Sequence, residues 1–179
     1  MSRLPRRVLR TLTLALVVVL ATPADLLTSA SAAPATERAT RQANLAQAVF
    51  NHLNHERSLH GLRPLSMNAD LVLSAHRHNR RMADANELSH QLPGEAFFAD
   101  RIQKAGYDWS WAGENIAWNS AMTRDGVVQL QQMMYHEKPP NDGHRLNILS
   151  SHYRNVGVDV YLDFTHHKVW LTTDFGKRT

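Results

Sequence analysis

Two hydrophobic periods occur in a fixed order along the chain, and that order narrows the fold more than any other feature. In three segments between Leu45 and Met134 apolar residues recur every three or four positions; after Arg154 come runs rich in Val, Tyr, Leu and Thr. Leu45, Val49 and Leu53, flanked by Ala46 and Phe50, predict a first helix that Gly61 and Pro64 stop just past His60. Asn68 is a candidate N-cap for a second helix, with Leu71, Ala75, His78 and Met82 along one face and an end near Asn86. A short helix is expected over residues 97–104. Gly106, residues 109–111 and Gly113 then break regularity before a strand over residues 115–118. Val127, Leu130 and Met134 define another helix after Thr123, and Pro139-Pro140 keeps it from running much beyond Glu137. Residues 154–164 and 168–175, separated by Thr165, His166 and His167, predict a closing hairpin. Helices first and strands last, without repeats, indicate an α+β fold.

The N-terminus belongs to a different category. Arg3, Arg6, Arg7 and Arg10 precede an apolar run over residues 12–21, and Ala30-Ser31-Ala32 offers small residues for cleavage, the pattern of a secretory signal peptide over residues 1–32. A membrane span needs about 20 consecutive apolar residues, and Pro23 and Asp25 interrupt this run, so no membrane anchor is expected after cleavage. Residues 33–43 read as a flexible tail, and the domain is expected over residues 44–179. Export places the mature chain outside the cell, or in the periplasm where there is an outer membrane. The absence of cysteine rules out disulfides, a lipoprotein thiol and thiol catalysis together. Four arginines and one aspartate in the leader carry +3 of the formal +4, leaving +1 for the rest, so no nucleic-acid partner is indicated.

Several ionisable residues invite chemistry. Glu137 lies seven residues after Leu130 and three after Met134, on the apolar face of its helix, where a carboxylate needs a partner unless the helix end carries it into solvent. His144 follows a turn-rich approach in which Asp142 is a candidate N-cap for a short helix over residues 145–149. The positive end of that helix would favour a neutral imidazole, able to ligate a metal or accept a proton; the plain alternative is a histidine that caps a turn. His136-Glu137 fails as a zincin motif because the fourth residue after His136 is Pro140. Asp174-Phe175-Gly176 lacks the loops of a kinase and reads as a strand end. His78 reads as a core histidine bonded to backbone, His52 and His55 form a weak i, i+3 pair, and His166 and His167 decorate the hairpin tip. Trp109, Trp111, Trp118 and Trp170 are assigned to core packing ahead of a lipid cleft.

Taken in order, NHERSLHGLRPL from Asn54, MADANELSH ending at His90, AGENIAW from Ala112, HRLNIL from His144, NVGVDVYL and VWLTTDFG form a series. It resembles the CAP superfamily of cysteine-rich secretory, antigen 5 and pathogenesis-related 1 proteins, in a cysteine-free bacterial form, over residues 44–176. The resemblance implies an αβα sandwich with a central, mainly antiparallel sheet flanked by helices. It also implies a cleft holding two histidines and two glutamates at His90, Glu114, Glu137 and His144. Three of these sit in motifs, while Glu137 is assigned by its place on the helix before HRLNIL. The loop HQLPGEAFFADRI after His90 is short and the disulfides of eukaryotic relatives are absent, so surface-dependent partner binding transfers poorly. Two imidazoles with one or two carboxylates can hold Zn2+ or another divalent cation and leave positions open. The leading expectation is an extracellular binding module with a cation on His90 and His144, and Glu114 and Glu137 completing or orienting the site. Three alternatives stand beside it. One is a metal-dependent hydrolase of peptide or cell-envelope material with Glu114 or Glu137 as catalytic base; the second is a lipid or sterol binder; the third is a polar cluster that only holds the fold.

Overall fold

A computed structural model describes the backbone of residues 24–179 and the side chains from residue 34 onward. The expected leader lies largely outside the described residues. Residues 36–179 form one compact unit.

The helices follow their apolar stripes and caps. In α2 (Ala69–Ala85) the side chain of Asn68 accepts hydrogen bonds from the N–H groups of Asp70 and Leu71, and Asn86 closes the helix in the left-handed region at φ 52°. Leu71, Ala75, His78 and Met82 are all fully buried. Thr123 caps α4 (Arg124–Tyr135) by accepting from the Gly126 N–H. The helix α1 (Ala24–Leu59) differs from expectation by beginning well before Asn44. Residues 36–43, read above as a flexible tail, are rich in Ala, Arg, Glu and Gln, which favour helix without producing any apolar period. They also dock: Arg41 donates to Met122 O at 2.6 Å, and Gln42 Oε1 accepts from Leu162 N at 3.0 Å. Two short helices complete the set, α3 (Phe98–Lys104) and α5 (Gly143–Ile148).

The sheet has the order β1-β3-β4-β2, built from β1 (Ser66–Met67), β2 (Trp109–Asn119), β3 (Asn155–Asp163) and β4 (Lys168–Arg178). The expected hairpin pairs β3 with β4, from Asn155↔Gly176 to Asp163↔Lys168. Its turn is organised by Asp163, whose Oδ1 accepts from the N–H groups of Thr165 and His166 while Oδ2 meets the His166 ring at 2.7 Å. β2 runs antiparallel to β4 and starts at Trp109, earlier than expected, across an irregularity between Trp109 and Trp111. Gly113 does not interrupt the strand, because it serves close packing: a Cβ there would lie 2.3 Å from the Tyr153 hydroxyl. β1, only two residues long and parallel to β3, carries no sequence pattern.

Side chains alternate between the two faces of this sheet. Val156, Val158, Val160 and Leu162 pack with Leu45, Val49 and Leu53 of α1 and with Val127, Leu130 and Met134 of α4. On the opposite face Ile116 and Trp170 pack with Met82 and Ala83 of α2. The result is an αβα sandwich in which β2 is an edge strand with helical layers above and below it.

Candidate functional site

Each helical layer brings one histidine to the β2 edge, and each histidine is backed by a glutamate. His90 comes from the loop between α2 and α3, and its Nδ1 lies 2.8 Å from Oε1 of Glu114 on β2. His144 is the second residue of α5, and its Nδ1 lies 2.5 Å from Oε1 of Glu137, just past the end of α4. Glu137 Oε2 also accepts from the His144 N–H at 3.0 Å. This carboxylate therefore does the capping expected of Asp142, whose side chain makes no cap bond. Glu137 neither faces the core nor points freely into solvent; its partner is the start of the next helix. All four residues line one pocket of about 390 Å³ together with Asn141, Gly143 and Asn147.

Carboxylates only accept hydrogen bonds, so each ring donates from Nδ1, and in the neutral ring that places the lone pair on Nε2. No hydrogen bond reaches Nε2 of His90 or of His144 among the described residues. Burial works against the charged form of Glu114, but the hydrogen bond from His90 and the charges of Arg101 and His78 outweigh it and hold the carboxyl below its ordinary range.

Arg101, which the sequence reading passed over, organises this half of the site. Its guanidinium pairs with Glu114 Oε2 and donates to the carbonyls of His90, at 2.8 Å, and Ala96, at 3.1 Å. One side chain of α3 thus fixes both the glutamate and the loop that carries its histidine. His78 is a core residue, as expected, but its Nδ1 partner is a carboxylate, Glu95 Oε1 at 3.0 Å, instead of backbone. Its Nε2 lies 4.0 Å from Glu114 Oε2. Asp174 sits opposite Glu114 on β4 and is completely buried. Burial first, and the neighbouring charge of Glu114 second, push its carboxyl well above the ordinary range. On the other side Asn115 Nδ2 donates to His144 O at 3.0 Å and Asn147 Nδ2 to Asn115 Oδ1 at 2.9 Å, fastening α5 to β2.

The other histidines stay outside this pocket. His52 lies 3.3 Å from Glu56, its i+4 neighbour, and His60 bonds the Tyr135 hydroxyl at 2.9 Å. The tryptophans divide: Trp170 is fully buried, whereas Trp111 and Trp118 are 45% and 40% exposed, against the expectation of core packing. Trp118 instead lines a second, apolar groove of about 300 Å³ beside the first. Among the described residues no group of three or more His, Cys, Asp or Glu is arranged to hold a metal ion. Both imidazoles line the pocket, each held from behind at Nδ1 by a carboxylate.

The sequence model of the cysteine-rich secretory protein family, CAP, matches residues 50–175. The chain belongs to the CAP family. YkwD, an uncharacterized protein of Bacillus subtilis strain 168, is 32% identical over 157 residues, which cover 83% of this chain and 57% of that protein. YlbC, an uncharacterized membrane protein of the same strain, is 29% identical over 130 residues, covering 73% of this chain and 34% of its own length. The chain thus spans little more than half of one curated relative and a third of the other. Among solved structures, an extracellular SCP-domain protein of Bacillus anthracis superposes with a TM-score of 0.65 at 30% identity, covering 76% of this chain and 41% of that one. An outer surface protein of Borrelia burgdorferi gives 0.64 at 16% identity over 76% of this chain and 94% of its own, a likeness of fold. The cysteine-free CAP domain here keeps the αβα architecture without any disulfide.

Proposed function

We propose that this CAP domain is an extracellular binding module whose cleft holds a divalent cation, Zn2+ by donor chemistry, on the Nε2 atoms of His90 and His144. One observation carries the reading: both rings are held at Nδ1 by a carboxylate while both residues line the same pocket. A carboxylate behind an imidazole fixes the tautomer and raises ring basicity, which is how metal-ligating histidines are commonly supported. A cation held by two rings would keep open positions for a ligand's oxygen or nitrogen atoms. An extracellular setting agrees with the signal-like N-terminus and with the B. anthracis relative described as extracellular. Among the described residues no helix is long and apolar enough to cross a membrane.

Binding is placed ahead of hydrolysis because both glutamates are engaged. Glu114 is tied to His90 and Arg101, and Glu137 to the ring and the backbone N–H of His144, so both carboxylates serve to position the imidazoles. Calorimetric titration of Zn2+ into the purified protein tests the proposal. It predicts one ion per chain, with binding lost in a His90→Ala/His144→Ala variant that keeps its urea midpoint. Absent binding, or equal binding by the variant, contradicts it, and zinc-dependent turnover of peptides would restore the hydrolase.

A further inference from the structure

The second groove adjoins the first along the edge of β2, where Ile116 is only 5% exposed and Lys168 Nζ lies 3.9 Å over the Trp118 ring. It is lined by Leu88, Ile116, Ala117, Trp118, Leu130, Met133 and Met134, and it shares Glu137 and His144 with the histidine pocket. Its rim is apolar and open to solvent, with Leu88, Trp118 and Met133 at 44%, 40% and 62% exposure.

The backbone along this groove has a definite polarity. Val156 O accepts from Asn68 N at 2.9 Å, so Val156 faces outward from β3 and the odd-numbered residues of β3 bond β4. Through the register Gly157↔Asp174, the even-numbered residues of β4 face β3 and the odd-numbered ones face β2. Gly113↔Phe175, Asn115↔Thr173 and Ala117↔Leu171 are then the bonded pairs, which leaves Ala112, Glu114, Ile116 and Trp118 facing out. The first two outward carbonyls are capped by side chains: Ala112 O accepts from the Tyr153 hydroxyl and Glu114 O from Asn147 Nδ2, both at 3.3 Å. Ile116 and Trp118, which line the groove, have no such partner among the described residues. Folded proteins normally cover, charge or distort an edge of this kind.

We propose that the edge from Ile116 to Trp118 takes an extended peptide as an added strand. Its backbone pairs with Ile116 and Trp118, one apolar side chain enters between Leu88 and Met133, and the chain continues to the His90–His144 pocket. Continuity of the two pockets through Glu137 and His144 argues for one ligand that spans both. The unpaired donors and acceptors argue for a peptide over an acyl chain, which could satisfy none of them. The proposal rests on the reading of the histidine pocket as a ligand site.

A random phage-displayed heptapeptide library, panned with and without Zn2+ on the intact protein and on Met133→Glu, tests it. Met133 is a surface residue, so the variant should fold, which its circular dichroism and urea midpoint check. The expected result is enrichment of peptides with a shared apolar position on the intact protein. Their affinity should fall about tenfold or more on Met133→Glu. N-methyl groups placed one amide at a time along an enriched peptide should abolish binding at alternate positions, and bound peptide should slow exchange of the Ile116 and Trp118 amides. No enrichment over Met133→Glu, N-methyl sensitivity without alternation, or displacement of the peptide by decanoate with no change in amide exchange would each overturn it. Enrichment indifferent to zinc would support the peptide edge and leave the cation to the calorimetric titration; zinc binding without enrichment would overturn the peptide and leave the cation.

Discussion

Glu137 shows how one residue can be decisive without touching a ligand. Its two oxygens accept two hydrogen bonds, from the ring and from the N–H of His144. Glu137→Gln leaves only one acceptor, with an amide N–H pushed toward one of the two donors. Zinc affinity should fall by about 10–100-fold, read by calorimetry, with little change in stability because Glu137 is 24% exposed. Glu56 makes a different test. It is almost fully buried, accepts from Gln131 Nε2 at 2.7 Å, and burial pushes its carboxyl up to about 7 against the opposing effects of Gln131 and Arg145. From about 4.5 to about 7 the unfolded chain ionises this group while the folded chain keeps it protonated, so stability falls as pH rises across that window and levels off above it. Glu56→Gln removes the loss. Its free energy of unfolding in urea should match that of the parent near pH 4 and exceed it near pH 8, by on the order of 2 kcal/mol; an equal difference at both pH values would contradict the assignment. Of the site residues, His90, Glu114 and His144 were legible because they sit in ordered motifs. Arg101, Glu95 and Asp174 were not, since charged residues are usually solvent-facing and only the tertiary neighbours of these three make burial tolerable.

Two glycines separate the elements that build the site from those that merely hold the fold. A Cβ on Gly157 would lie 2.1 Å from the backbone of Leu71, so Gly157→Ala should lift α2 from the sheet and cost about 3 kcal/mol in urea unfolding. A Cβ on Gly113 would meet the Tyr153 hydroxyl and, at 2.9 Å, Asn147 Oδ1, the residues that fasten α5 to β2. Gly113→Ala should therefore displace His144 and weaken zinc binding by more than its cost in stability implies, whereas Gly157→Ala should weaken the two in proportion. Elements announced by caps and stripes, α2 at Asn68 and α4 at Thr123, stand where the residues placed them. Those defined by partners were harder to read. β1 exists only because Asn155 and Val156 run beside it, and residues 36–43 of α1 rest on Ala, Arg, Glu and Gln preferences that leave no apolar period.

At the scale of the molecule the cleft is a junction between layers. His90 and Arg101 belong to the loop and helix on the α2–α3 side, Glu137 and His144 to the α4–α5 side, and β2 lies between them with Glu114. An ion held by both rings would tie the two layers together, so each histidine should need the other. Zinc titration by calorimetry of the parent, His90→Ala, His144→Ala and the double variant measures this dependence directly. A shared ion predicts one site in the parent and almost the full loss in either single variant, with the double variant no worse than the singles. If each single variant keeps a zinc site of its own and the losses add in the double variant, the two histidines do not share an ion, and the central reading of this cleft is wrong.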